Sequence, residues 1–221
     1  MTLQTIIAQY IDQFMPVFRP ALNSSNTIKM DLSAANLEFA GKQGVDLDKA
    51  IESKIYQSGC IAAVGGYLEN RSVYAATDLF DGDSERCIHI GVDVFIGDGT
   101  EVFLPLDGQV QSCCHRNVSG DYGPVIIMEH ELSGCRFYSL YGHLSEQSLV
   151  GLSPGKKFAS GELIARIGGR PGNGNWSPHL HFQLIADMQG LVNDYPGVVR
   201  KVDLDFYRTN CPDPTSLLVS E

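Results

Sequence analysis

The sequence lacks any long apolar run, and it has few basic residues. Its 221 residues are 43% hydrophobic, but the longest apolar runs have the length of a strand and not the roughly 20 residues that cross a bilayer. No transmembrane segment is therefore expected. The net charge is −10, from 16 Lys and Arg against 26 Asp and Glu. An acidic protein gains no counterion-release attraction to a phosphate backbone, so a nucleic-acid partner is not expected.

The N-terminal residues lack the features of a secretory signal. Met1 to Phe14 contain no Lys or Arg and no unbroken apolar stretch, and a secretory signal needs both a positive start and an apolar segment. The sequence as written is therefore expected in the cytoplasm, or in the cell envelope if it has been trimmed. The oligomeric state stays open.

Closely spaced cysteine pairs of the CxxC type are also missing. The six cysteines are Cys60, Cys87, Cys113, Cys114, Cys135 and Cys211. The adjacent pair would face opposite sides of a strand, which makes it a poor candidate for a shared metal. We interpret the cysteines as small, buried apolar residues in a reducing compartment.

The apolar pattern changes from helical to strand-like near residue 60. Apolar residues at helical spacing from Leu3 to Phe14 predict an amphipathic helix of about three turns. A second helix is predicted around Leu47 to Ile55, with Asp46 as a possible N-cap and Gly59 as its stop. Seven strands are predicted after it: Ile90–Ile96, Glu101–Pro105, Gly108–Cys113, Pro124–Glu131, Cys135–Tyr141, Leu163–Ile167 and Leu180–Ile185.

Short strands joined by tight glycine-containing turns are typical of an antiparallel β architecture. The fold class predicted is therefore mainly β, an antiparallel sheet or sandwich core with a small helical N-terminal extension (α+β). We divide the chain into an extension of helices and loops at residues 1–65, the β core at 66–190, and a C-terminal tail at 191–221 that packs on the core.

His179 and His181 lie two residues apart in an apolar segment that is typical of a strand. Side chains two apart in a strand share a face and lie about 6–7 Å apart. Two such imidazoles can reach one small site, so that one ligates a metal while the other acts on the metal-bound water. A polar strand face with two solvated histidines explains the pair equally well.

His89 and Asp93 lie four residues apart, a spacing that would place them side by side on a helix. The β-branched residues between and after them favour a strand, where four residues span about 13 Å. Ligand atoms on one zinc lie only about 3–3.5 Å apart, because each bond is near 2.0–2.1 Å. If both residues bind one ion, the backbone must turn, and Gly91 permits that turn. We then expect His89 before the strand and Asp93 within it. A surface histidine and a turn aspartate remain the alternative.

Together, His89, Asp93 and His181 offer three nitrogen or oxygen ligands and a fourth place for water, the pattern of a catalytic zinc. Such a metal lowers the pKa of bound water to about 7 and polarises a carbonyl. His143 and His179 can then serve as general base, acid or oxyanion donor. The helical zinc motif HExxH is absent, and no glutamate has an evident role as a base. His115 is expected to be exposed, and His130 to be packed or in a turn.

Three segments, in this order, resemble the motifs of the lysostaphin/LytM-type zinc endopeptidases. They are His89-Ile-Gly-Val-Asp93, Tyr141-Gly-His143-Leu144 and His179-Leu-His181-Phe182. The resemblance covers roughly residues 70 to 190. It implies that His89, Asp93 and His181 bind one Zn²⁺ ion, and that His143 and His179 handle the proton and the developing oxyanion. It also implies a metalloendopeptidase that hydrolyses peptide bonds, most often in peptidoglycan, so the expected partner is a peptide or peptidoglycan fragment.

Two positions depart from the pattern of many members without touching a ligand. Ser177 stands where many have Gly, and Gln183 stands where many have Glu. The glycine-rich loop that ends at Trp176 is either a wall for substrate or a turn packed on the core. Asn173-Gly-Asn-Trp176 and Asp194-Tyr-Pro-Gly-Val198 resemble a subgroup that fits the missing export signal better than a secreted lysin does.

A second hypothesis is a metal-containing module that binds a peptide or partner without cleaving it. Residues 1–60 lack chemistry yet precede an open cleft, and a side chain such as Asn23 or Asn26 would then lie over the fourth coordination place.

Replacing Asp93 with Ala is expected to remove both metal and activity, because it deletes one of three ligands. Replacing His179 with Ala is expected to preserve the metal and remove turnover. Elemental analysis of both variants checks the assignment, and a full complement of zinc in the Asp93 variant would show it to be wrong.

Overall fold

The computed structural model describes residues 1–39, 41–71 and 86–220, and its fold is mainly β, as the sequence predicts. In chain order the elements are α1 (Leu3–Gln9), β1 (Leu22–Asn23), β2 (Thr27–Met30), α2 (Gly44–Ser58), β3 (Ala62–Gly65), β4 (Glu69–Asn70), β5 (Arg86–His89), β6 (Val92–Phe95), β7 (Glu101–Phe103), β8 (Gly108–Arg116), β9 (Gly123–Leu132), β10 (Cys135–Gly142), β11 (Lys157–Phe158), β12 (Leu163–Arg166), β13 (His179–Ile185), β14 (Val198–Arg200), α3 (Leu204–Asn210), α4 (Thr215–Leu218) and β15 (Val219–Ser220). Short 3-10 helices cover Ile11–Gln13, Glu146–Leu149 and Lys201–Asp203.

One eight-stranded sheet forms the body of the fold, in the order β11-β8-β9-β10-β13-β6-β3-β2. Its neighbours pair antiparallel except for β2 and β3, which run parallel. Smaller sheets pair β7 with β12, β1 with β15, and β5 with both β4 and β14. All seven predicted strands are present, with ends shifted by a few residues.

Strand β13 carries the main core on one face and the predicted histidines on the other. Leu180, Phe182 and Leu184 belong to a large apolar cluster that also includes side chains of α1, β6 and β9. His179 and His181 alternate with these residues, so they lie on the opposite face. Both faces of β13 are buried along its whole length. The histidine pair is therefore inside the protein and is not a solvated strand face.

The N-terminal segment differs from the expected set of helices and loops, because it also supplies strands. β2 and β3 lie within residues 1–65, and β3 pairs directly with β6 of the main sheet. The first helix is also shorter than predicted. α1 ends at Gln9, where the backbone N–H of Tyr10 is shared between the carbonyls of Ile6 and Ile7, and this tightening leads into the 3-10 turn Ile11–Gln13. The boundaries of the three-part division stay a prediction.

The second helix begins before the predicted cap. α2 starts at Gly44 with Gln43 as its N-cap, so the assignment of Asp46 as the cap is wrong. Asp46 lies in the first turn, where its carboxylate stabilises the positive end of the helix. The predicted stop at Gly59 is confirmed, since this residue adopts the left-handed conformation with φ of 72°.

The C-terminal residues contribute a strand and several buried side chains. β14 pairs with β5, and Tyr195, Cys211 and Leu218 are buried. All six cysteines are free; Cys211 is buried and the other five are partly exposed. Among the described residues, no helix has both the length and the apolar character needed to cross a membrane.

The two histidines outside the motifs lie where expected, His115 exposed and His130 buried in β9. His130 Nδ1 lies 2.9 Å from the carbonyl of Asp107, and Nε2 lies 2.7 Å from Ser139 Oγ. A carbonyl only accepts, so Nδ1 donates to Asp107 and Nε2 accepts from the Ser139 hydroxyl. Burial lowers the pKa of this imidazole below its ordinary value.

We expect the free energy of unfolding to fall as the pH drops below the ordinary histidine pKa of about 6.5, by up to about 1.4 kcal/mol per pH unit from His130. Stability falls with falling pH because His130 binds a proton more readily in the unfolded chain than in the folded one. His130→Gln removes this contribution, whereas the matched His115→Gln retains it. Urea denaturation of both variants at about pH 7.5 and about pH 5.5 measures the difference. Identical pH dependence in the two would contradict the assignment.

Candidate metal centre

The five predicted site residues lie together at one end of the central strands. His89 is the last residue of β5, Asp93 lies in β6, and His179 and His181 lie in β13. His143 directly follows β10. The pairing of β13 places His181 opposite Asp93 on one side and Gly142 on the other. Each of the five residues is at most 6% exposed.

The three predicted ligands converge through one atom each. His89 Nε2 lies 2.9 Å from His181 Nδ1 and 3.3 Å from Asp93 Oδ1, and the last two atoms are 3.1 Å apart. Ligand atoms on one tetrahedral zinc are separated by about 3–3.5 Å. This triangle of two nitrogens and one oxygen therefore fits a metal ion. The assignment of these residues as ligands stays a prediction.

The chain turns between His89 and Asp93, as their convergence requires. His89 precedes β6, the strand that holds Asp93, as expected, but it is itself the last residue of a separate strand, β5, in another sheet. Gly91 does not adopt a left-handed φ. Its role is spatial: an added Cβ would lie 2.6 Å from His181 Cε1 and 2.9 Å from the carbonyl oxygen of Phe182. Only glycine leaves room for the His181 ring.

Each ligand imidazole has its second nitrogen bound to protein. His89 Nδ1 donates to the carbonyl of Gly66 at 3.0 Å, so Nε2 keeps its lone pair. His181 Nε2 lies 3.1 Å from Gln183 Oε1. The Gln183 amide donates through Nε2 to the carbonyl of Pro196, so Oε1 accepts from His181. These contacts select the tautomers that direct both lone pairs to the centre.

A buried arginine holds the carboxylate of Asp93. Arg71 Nη1 donates to Asp93 Oδ2, while the other oxygen, Oδ1, belongs to the ligand triangle. Burial alone would raise the pKa of Asp93, but its cationic neighbours hold the pKa well below its usual range. Arg71 is the neighbour that stays charged at neutral pH, since burial lowers the pKa of His89 to about 4. Asp93 is therefore ionised, as a metal ligand has to be.

His143 and His179 stand beside the triangle, and backbone carbonyls orient them. His179 Nδ1 donates to the carbonyl of Ser177 at 2.6 Å, and His143 Nδ1 donates to the carbonyl of Asn173 at 2.9 Å. His179 Nε2 lies 3.7 Å from Asp93 Oδ1. The two ring centroids are 4.2 Å apart. Both imidazoles consequently keep an unprotonated Nε2.

Burial is the main cause that lowers the pKa of both flanking imidazoles, for His143 well below its usual value. The neighbouring His179 and His181 lower the pKa of His143 further. Both residues are therefore neutral at pH 7 and able to accept a proton. His143 also has a φ of 61°, a conformation that residues with a Cβ adopt at an energetic cost and often at functional sites.

The centre opens into a cleft of about 640 Å³. Trp176 lines it, with its ring 6.2 Å from that of His143, so this residue is part of the cleft wall. The expectation that Asn23 or Asn26 lies over the site is wrong. Asn23 Oδ1 accepts from Ser25, Asn26 Oδ1 accepts from Asn23, and neither lines the cleft. β1, which contains Asn23, instead pairs with β15.

Sequence reasoning missed two residues that support the centre. Arg71 has no motif around it and reaches Asp93 only through the fold. Gln183 stands where many members of the family have Glu, but no motif indicates its bond to His181. Its position in β13, two residues beyond His181 and thus on the same face, was the available signal.

Fold and site define a mainly β protein with a buried centre of two histidines and one aspartate suited to a metal. Residues 87–193 match the profile of Peptidase family M23, and the family predicted from the three motifs is confirmed. The matched segment contains all five site residues.

Three similar proteins illustrate the match. An "uncharacterized metalloprotease" of Haemophilus influenzae is 35% identical over 95 residues, which are 43% of this chain and 18% of that protein. This chain thus spans less than a fifth of that relative's length. A zinc-containing peptidase from Vibrio cholerae is 25% identical, covering 44% of this chain and 27% of that one, with a TM-score of 0.34. The catalytic domain of lysostaphin from Staphylococcus simulans is 25% identical, covering 55% and 80%, with a TM-score of 0.38.

Gly91→Ala is expected to weaken zinc binding roughly 10- to 100-fold, the usual effect of disturbing the support of a ligand. The added methyl group would displace the His181 ring. Gly97→Ala is the matched control, because a Cβ there meets only Thr100 Oγ1 at 3.9 Å. Zinc titration against a competing chelator measures both, and equal affinities would show that the site tolerates the methyl group.

Proposed function

We propose that this domain is a zinc metalloendopeptidase that hydrolyses peptide bonds with one Zn²⁺ ion held by His89 Nε2, Asp93 Oδ1 and His181 Nδ1. The observation that carries the proposal is the ligand triangle, whose three sides measure 2.9–3.3 Å. Three protein ligands leave one place for water or substrate, which is the arrangement of catalytic and not structural zinc sites.

When bound, the ion supplies a water of lowered pKa and polarises the carbonyl of the scissile bond. The protein supplies the proton acceptor. His179 is suited to this role because it is neutral, its Nδ1 is occupied by the Ser177 carbonyl, and its Nε2 lies near Asp93. The nearby carboxylate stabilises the imidazolium that forms when His179 accepts a proton.

We assign the second role to His143. Its Nδ1–H is used by the Asn173 carbonyl, so Nε2 is the atom available to the cleft. Once protonated there, His143 can donate a hydrogen bond to the developing oxyanion or a proton to the leaving amine. The centroid of its ring lies 4.2 Å from that of His179 and 6.2 Å from that of His181, so His143 is next to the proposed base and also near a proposed ligand.

We propose that the substrate is a peptide, and that peptidoglycan peptides are the first candidates to test. The cleft combines aromatic walls, such as Trp176 and Tyr122, with charged pairs, such as Arg116 with Asp194. Aromatic walls combined with a few charged groups are typical of a cleft that binds a ligand. The choice of peptidoglycan as the natural substrate comes from the motif resemblance. The proposed hydrolysis of a peptide bond does not depend on it.

We expect the purified protein to digest peptidoglycan or short Gly- and D-Ala-containing peptides, to stop when a chelator is added, and to recover with zinc. His143→Ala should lower kcat by roughly 10²- to 10⁴-fold with zinc still bound, as expected for loss of an acid-base residue. His115→Ala, at an exposed position, is the control with full activity. Mass spectrometry of the products identifies the bond cleaved.

Two outcomes would contradict the proposal. Hydrolysis that survives complete removal of metal would exclude the metal chemistry. Stable zinc and peptide binding without cleavage of any peptide tested would instead support the binding module.

A further inference from the structure

Helix α2 of the N-terminal segment contacts the loop before β13. This loop holds the backbone carbonyls that accept hydrogen bonds from His143 and His179. Asp48 in α2 accepts two hydrogen bonds from Arg170, from Nε to Oδ2 at 2.6 Å and from Nη2 to Oδ1 at 3.0 Å. This is the bidentate geometry in which arginine binds a carboxylate most specifically. The side chains are only 15% and 21% exposed, so the pair is shielded from solvent more than a surface ion pair.

The same carboxylate also binds the residue that orients His179. The hydroxyl of Ser177 donates to Asp48 Oδ1, and the carbonyl of Ser177 accepts from His179 Nδ1. Asp48 is thus connected to His179 through one residue. Many members of the family have Gly where this chain has Ser177. A glycine has no hydroxyl and could not make this hydrogen bond.

The loop from Gly168 to Ser177 joins both flanking histidines. Asn173, whose carbonyl orients His143, binds the carbonyls of Gly168 and Trp176 through Nδ2. Its Oδ1 accepts from the backbone N–H of Trp176. Arg170 closes the loop by donating to Asn175 Oδ1 at 3.0 Å. Arg170 and Ser177 therefore connect Asp48 to the loop that holds both acceptor carbonyls.

We propose that Asp48 is a positioning residue: it fixes the 168–177 loop so that the carbonyls of Asn173 and Ser177 orient the imidazoles of His143 and His179. The N-terminal segment is then part of the catalytic apparatus, although the three motifs lie outside it. The catalytic consequence rests on the peptidase function proposed above, whereas the structural claim about the loop does not.

Trp176 makes the structural claim measurable without activity, because it is the single tryptophan of the chain and lies beside Ser177. Asp48→Asn should loosen the loop and increase acrylamide quenching of its fluorescence. Asp46→Asn is the matched control, since it removes one carboxylate from an exposed position of the same helix. That variant should show the quenching of the unaltered protein.

In the same samples, Asp48→Asn should lower kcat roughly 10- to 100-fold. This is the loss expected when a distant change displaces a catalytic group by up to about 1 Å. Zinc content should stay unchanged, because no ligand contacts Asp48. Circular dichroism ensures that all variants are compared while folded. Should Asp48→Asn not fold, Arg170→Lys tests the same contact, since lysine retains the charge but not the bidentate fork.

The inference is overturned if Asp48→Asn, or Arg170→Lys in its place, matches Asp46→Asn in both quenching and kcat. Increased quenching with unchanged kcat would retain the loop contact but exclude the catalytic role. If the unaltered protein cleaves no peptide, the proposed function fails, and the quenching comparison still decides whether Asp48 fixes the loop.

Discussion

The antiparallel pairing of β6 with β13 is the constraint on which the rest of the site depends. This register sets Asp93 directly opposite His181 and His179 opposite Phe95. A shift of one residue would turn both histidines into the apolar core, because side chains alternate between the two faces. The alternating Leu180, Phe182 and Leu184 prevent that shift, since their burial stabilises only one register. The hydrophobic core thus determines where the polar site lies.

Buried imidazoles are costly unless both nitrogens have partners. In this protein each site histidine has one nitrogen bound to a carbonyl or amide oxygen, which leaves the other nitrogen directed inward. Burial keeps the pKa of His89, His143 and His179 low, so these residues are neutral near pH 7. Burial therefore keeps these imidazoles neutral, so that one nitrogen of each has the lone pair that metal binding or proton transfer requires.

The N-terminal segment contacts parts of the fold that lie far from it in the sequence. Its apolar periodicity predicts helices with no chemistry, and α1 indeed packs into the main core. Yet β3 adds a strand beside β6, and Asp48 in α2 binds the loop before β13. A segment without motifs can hold the polar contacts that orient residues more than 100 positions away. Local patterns do not report such contacts.

The seven core strands, the five candidate site residues and the family could be predicted from the sequence alone, because two-residue periodicity and three ordered motifs are local properties that need no folded chain. The folded structure was needed to show that β2 and β3 join the sheet, that a Cβ at Gly91 would meet the His181 ring, that Arg71 and Gln183 contact residues of the centre, and that Asp48 binds Arg170. The physical reason is that these features depend on distances between segments far apart in the chain. Such distances arise only when burial of the apolar faces brings the strands into a single register.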